Sequence, residues 1–304
     1  DVRQWLLLGS VFLAYSLTPC SLVESAMELA DERPYTAIQA AFLREDFAQV
    51  VQLVQPWLEP VSLEPQAIRI RLWYCLSLER LQRANDALRE LDRLKAALMT
   101  AATRGASPEQ ERLWPEVLFW EGEISRRAFQ FIRARLAYHR LLSAYPQSMW
   151  RPQAQLGLGL VLFQQQAYDV ARQQMQEVVR AAPPAWVVRE AQVVEGLCDL
   201  QLKEYGTAAV LFRHLLSEPM DATTRAKVAF YLGETLTGLT QTSEAMQAYH
   251  DAIEADVQGP WGRMAHFGLG WSLFQQHRCQ ESLRAFEGYL NAPHAEADRQ
   301  QPEL

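Results

Sequence analysis

The sequence predicts an all-α solenoid of about seven paired-helix units, and three observations carry that expectation. Gly122, Gly159, Gly196, Gly233 and Gly270 recur at an interval of 37 residues, and Ala134, Ala171, Ala208, Ala245 and Ser282 keep the same interval. Tyr138, Met175, Phe212, Tyr249 and Phe286 supply a large side chain in step with them. Within one unit, Tyr168, Ala171, Met175 and Val178 fall on one side of a helix, the pattern of a buried stripe. A fixed period of this length marks an array in which each unit packs on its neighbours, so a chain of 304 residues need not divide into two globular domains.

Residues 1–26 stand apart from the array. Arg3 precedes an uncharged run from Trp5 to Leu17, followed by Thr18, Pro19 and Cys20 before polar sequence resumes at Glu24. The run is short for a bilayer span and fits the apolar core of an export signal. Three readings stay open: a signal peptide cleaved after Ser25 or Ala26, a membrane-proximal segment tethered by lipid on Cys20, or a helix of the first repeat. Leu17-Thr18-Pro19-Cys20 has the outline of a lipidation motif, with Pro19 where Gly or Ala is expected.

Residues 27–95 hold two degenerate units. Ile38 and Cys75 occupy the glycine column, and Val50 and Ala87 the alanine column, once ten inserted residues near 96–110 are allowed. Residues 96–113 read as an insertion and loop. Arg104-Gly105-Ala106 is an exposed linker there, and Ser107-Pro108-Glu109-Gln110 starts a helix with an N-cap serine and proline in the first turn. Residues 114–294 contain five regular units and 295–304 a polar tail.

Residues 152–184 show one unit complete. Leu156, Leu158, Leu160, Leu162 and Phe163 form an apolar first half, Gln164-Gln165-Gln166 a break, and Pro183-Pro184 a stop after the second half. Proline restricts its predecessor and lacks an N–H, so Pro146, Pro183, Pro219 and Pro293 suit the ends of second helices. Glycine inside a helix costs about 1 kcal/mol relative to alanine. Its place in five first helices therefore requires close approach of a neighbouring helix, with the Tyr138 column filling the space beside it.

These residues resemble the tetratricopeptide repeat: Leu158-Gly159, Leu162, Tyr168, Ala171, Met175, Val178 and Pro183 follow its order of Leu-Gly, aromatic, Ala, large apolar residue and Pro. The resemblance covers about residues 35–294 and departs in its period, 37 here against about 34 in the family. Trp150, Trp186 and Trp261 sit in the lengthened connections. The Tyr145-Pro146-Gln147-Ser148 joint is similar to the long repeats of secreted bacterial members.

The resemblance implies a right-handed superhelix that binds a helical or extended protein segment on a concave face lined by first helices. It places there Phe119, Leu156, Val193, Phe230 and Phe267, then Leu160, Leu197 and Trp271, then Phe163 and Phe274. Arg126 and Arg127 stand at one end, suited to an acidic group of the partner. A second reading stays open, in which longer repeats turn these side chains into core.

A composition of 49% hydrophobic and 21% charged residues supports a continuous core. The net charge of −7 leaves no basic footprint for nucleic acid. Gly157-Leu158-Gly159 and Gly268-Leu269-Gly270 imitate the start of a dinucleotide loop but lack its third glycine, and they read as repeat spacers. The sequence contains no phosphate-binding loop, nucleophile elbow or His-Glu-x-x-His pattern. The six histidines are dispersed, with His139 and His250 in one solvent-facing column, so no metal set or cofactor site is expected. Cys75, Cys198 and Cys279 lie far apart and read as buried thiols. The expected protein is a non-enzymatic scaffold of the bacterial envelope, periplasmic or associated with the outer membrane. A solenoid arm of a larger cell-wall enzyme and a cytoplasmic adaptor are the alternatives.

Overall fold

A computed structural model of the chain describes residues 33–103, 108–181 and 183–292. The expected signal or tether at 1–26, Cys20 and the polar tail at 295–304 lie outside the described residues. Among those described, seven helical hairpins follow one another: α1 (Arg33–Leu43) with α2 (Phe47–Val54), α3 (Pro65–Arg80) with α4 (Ala84–Thr103), α5 (Pro108–Arg127) with α6 (Phe131–Ala144), α7 (Arg151–Gln164) with α8 (Tyr168–Arg180), α9 (Ala185–Gln201) with α10 (Tyr205–Ser217), α11 (Ala222–Gly238) with α12 (Thr242–Ala255), and α13 (Pro260–Gln275) with α14 (Cys279–Asn291). One 3-10 turn, Gln55–Trp57, follows α2, and no strand occurs among the described residues.

The chain divides into two units, residues 1–161 and 162–304. In the first, α1 to α6 pack each on the next, and α3 also meets α5. In the second, α8 to α14 do the same, with the first helices α9, α11 and α13 touching in succession.

The expected linker Arg104-Gly105-Ala106 lies outside the described residues. Residues 96–103 and 108–113 are helical, where the sequence reading has an insertion and loop over 96–113: α4 runs on to Thr103, and α5 starts at Pro108, at the expected helix start. Pro115 consequently lies inside α5, although the equivalent Pro152 is the second residue of α7. The extra residues precede the proline, where a missing N–H interrupts the ladder by one bond.

Each first helix ends in the same way. Glu45, Gln82, Phe129, Gln166, Lys203, Thr240 and His277 all adopt a left-handed conformation with φ between 57° and 63°. The following residue donates its N–H to a carbonyl five positions back, as in Gln130 to Ser125 and Glu204 to Asp199, both at 2.8 Å. This caps the helix and reverses the chain into the second helix.

The core follows the two small-residue columns. Ala87, Ala134, Ala171, Ala208 and Ala245 are completely buried, and Gly122, Gly196, Gly233 and Gly270 lie under aromatic rings. A Cβ at Gly196 would stand 2.6 Å from Phe212 Cζ, and one at Gly233 2.5 Å from Tyr249 Cε1. No side chain fits there, which explains a residue that helix propensity alone disfavours.

Candidate functional site

Eight of the twelve residues expected to line an open trough are buried: Phe119, Leu156, Leu160, Phe163, Val193, Leu197, Phe230 and Arg126. They form core, and the lengthened connections show why for the aromatics. Trp150 stacks on Phe119 with ring centroids 4.7 Å apart, and Trp261 meets Phe230 at 6.0 Å. The arginines also differ from expectation. Arg126 Nη2 donates to Glu123 Oε2 at 2.8 Å, and Arg127 Nη1 to Glu79 Oε2 at 3.1 Å. Both cations are spent inside the hairpin packing and do not project toward an acidic ligand.

Three expected residues do come together at an accessible surface. On α13, Phe267 is half-buried, while Trp271 and Phe274 are 39% and 55% exposed. The Trp271 and Phe274 rings lie 6.0 Å apart and are tilted by 34°. Phe267 is held from behind by Phe286 at 5.8 Å and Tyr289 at 5.5 Å, both from α14. Arg263 stands over the Tyr289 ring at 5.3 Å and fixes it by a cation–π contact. These positions are the counterparts of Phe230, Glu234 and Thr237 one hairpin earlier. A large exposed aromatic strip of this kind marks an interaction surface.

Sequence reasoning missed a polar constellation that hairpins three and six share. Tyr138 Oη donates to Glu123 Oε1 at 2.5 Å, and Tyr249 Oη to Glu234 Oε1 at 2.6 Å. Each ring also fills the space over a glycine in the next first helix, Gly157 or Gly268. Burial pushes the Glu123 carboxyl up, but Arg126, Arg127 and the Tyr138 hydroxyl outweigh it and hold the group below the usual glutamate range. Burial, followed by the Glu123 charge, raises the Tyr138 phenol well above its ordinary value. The signal was present in the sequence: Glu123, Tyr138 and Gly157 recur together at Glu234, Tyr249 and Gly268, exactly three periods of 37 later. The intervening units replace the pair with Leu160 and Met175 or Leu197 and Phe212, apolar against apolar. The two Gly-x-Gly motifs thus seat a tyrosine.

Cys75 and Cys198 are buried, with the Cys75 thiol pushed up to about 12 by burial, whereas Cys279 is exposed, contrary to expectation. Among the described residues no group of three or more His, Cys, Asp or Glu side chains is placed to hold a metal ion. No helix among them is long and apolar enough to cross a membrane.

Paired helices, a left-handed turn in each hairpin and a glycine beneath each aromatic define a helix-turn-helix repeat protein of the α-solenoid class. Its helix pairs have the fold of tetratricopeptide repeats, and residues 126–185 match the tetratricopeptide repeat family. The fold matches a tetratricopeptide repeat protein from Parabacteroides merdae, with a TM-score of 0.61 at 14% identity over 88% of this chain and 94% of that one. It also matches the apo form of the quorum sensor NprR from B. thuringiensis, with a TM-score of 0.61 at 13% identity over 88% of this chain and 78% of that one. No curated protein matches the sequence.

Proposed function

We propose that this chain is a non-enzymatic interaction scaffold that holds an amphipathic helix of a protein partner on the strip formed by Phe267, Trp271 and Phe274. One observation carries the reading. Trp150 covers Phe119 and Trp261 covers Phe230, whereas their counterpart Phe267 is half-buried and, beside it, Trp271 and Phe274 are 39% and 55% exposed. A large apolar residue near the start of the next first helix is what covers the counterparts of Phe267 inside the chain. An amphipathic helix laid into an apolar groove is a recurring mode of peptide recognition. The reading extends to a bacterial envelope location, supported by the uncharged run Trp5–Leu17 and by the likeness of the long repeats to secreted family members.

Photo-cross-linking from position 274 in the native cell tests both parts. The expected product joins position 274 to a helical segment of another protein, in the envelope fraction. Trp271→Ala, in the chain that carries the cross-linker at 274, should lower its yield about tenfold, as for a residue at the centre of an interface. Equal yield from this variant removes the strip from the reading, and recovery from the cytosol alone removes the location. Phe163→Asp is no substitute, because Phe163 is buried and an aspartate there would report on folding.

A further inference from the structure

The solvent-facing side of α6 carries an exposed apolar ridge. Phe129, Ile132 and Leu136 are 63%, 76% and 66% exposed; Ile132 and Leu136 lie one turn apart on one side of the helix, and Phe129 stands beside them in the turn before it, its ring 6.0 Å from Phe131. The other hairpins serve as internal controls, because the three equivalent positions are exposed in every one of them. Those positions are polar or small throughout, apart from Val210. Six hairpins fold without such a ridge, so hairpin packing does not require it in the third.

The charge on the helix itself is one-sided. The helix α6 contains Arg133, Arg135, His139 and Arg140 and no acidic residue. Arg133 is committed to Glu121 and Asp92, and Arg140 lies over the Trp114 ring at 5.3 Å. Arg135 is exposed and makes no ion pair among the described residues. The surrounding sequence reinforces this. Residues 33–161 hold 17 Lys and Arg against 13 Asp and Glu, a net of +4, whereas residues 162–292 hold 10 against 15, a net of −5.

We propose that the ridge docks an acidic amphipathic helix of another protein, its apolar stripe on Phe129, Ile132 and Leu136 and its Asp or Glu flank at Arg135. A two-fold contact with a second copy would set Arg135 against Arg135, which like-charge repulsion opposes. A ridge one side chain wide matches a helix crossing better than the plane of a bilayer. This surface is separate from the α13 strip, and neither reading depends on the other.

The test titrates the full chain with two labelled helical peptides that share one Leu/Ile stripe, one flanked by Glu and one by Lys, and reads fluorescence anisotropy. The Glu peptide should bind at least about tenfold more tightly than the Lys peptide, and salt should weaken it. The triple variant Phe129→Gln, Ile132→Gln, Leu136→Gln uses residue types that other hairpins carry, so its thermal midpoint should stay unchanged while affinity falls about tenfold. Arg135→Glu, with the ridge intact, should reverse the preference between the peptides. Equal binding of both peptides, no binding of either, or undiminished binding by the triple variant overturns the proposal. So does a loss in Phe274→Asp alone, which assigns the peptide to the α13 strip. Binding only to phosphatidylglycerol vesicles, or a dimer in ultracentrifugation that the triple variant abolishes, likewise overturns it in favour of a lipid or self contact.

Discussion

Glu123 shows how a single buried carboxylate is kept charged in the middle of a hairpin. It accepts from Tyr138 and from Arg126, with Arg127 within 3.8 Å, so its ionised form is better stabilised in the fold than in the open chain. The sign of the pH dependence follows from that. A carboxyl whose folded value lies below its unfolded value, near 4.3 for glutamate, contributes its stability in full above the unfolded value. That contribution is lost as pH falls through the folded one. Glu123→Gln should therefore lower the thermal midpoint at pH 7 and then lose less than wild type on acidification below about pH 4. Tyr138→Phe, which removes one donor to a charged group, should cost about 2 kcal/mol at neutral pH. Melting curves between pH 7 and 3 decide the matter: an acid slope identical in Glu123→Gln and wild type would show that another group carries it.

At the scale of the helix pair, two glycines make opposite predictions. Gly233 lies in α11 under the Tyr249 ring, which is completely buried and tied to Glu234, so the ring cannot swing aside. Gly233→Ala gains about 1 kcal/mol of helix propensity and loses about 2–3 kcal/mol to overpacking. Its net effect should be destabilising. Gly206 is in α10 with nothing within 4 Å of an added Cβ, and Gly206→Ala should stabilise by about 0.5–1 kcal/mol. Denaturation midpoints that move in the same direction would show that the ring contact is not what retains glycine at Gly233. The hairpins were legible because both small-residue columns obey one period, which translation along an array imposes on sequence. The orientation of the remaining columns was not. An apolar first-helix position reads alike whether it faces a groove or the next hairpin, and only the tryptophan contacts distinguish Phe119 and Phe230 from Phe267. The bounds of the insertion were misread for a related reason: periodicity does not reveal how far α4 and α5 extend into 96–113.

At the scale of the molecule, within each unit the substantial helix contacts join only consecutive helices or consecutive first helices. Stability in such an array is set by each hairpin and its neighbours, so damage at one place should remain local. Phe230 is a suitable probe because it touches Tyr231, Tyr249 and Trp261 and is buried at a hairpin junction. Phe230→Ala leaves a cavity worth about 3–5 kcal/mol. Amide hydrogen exchange should then show lost protection in α11, α12 and α13, where the ring's neighbours reside, and little change in α1 to α4, which belong to the other unit. The size of the change should decline with each hairpin away from the cavity, because every interface passes on only the part of the destabilisation that it does not absorb. A uniform loss of protection from α1 to α14 would mean that the chain opens in one all-or-none step, and nearest-neighbour packing would then be the wrong account of its stability.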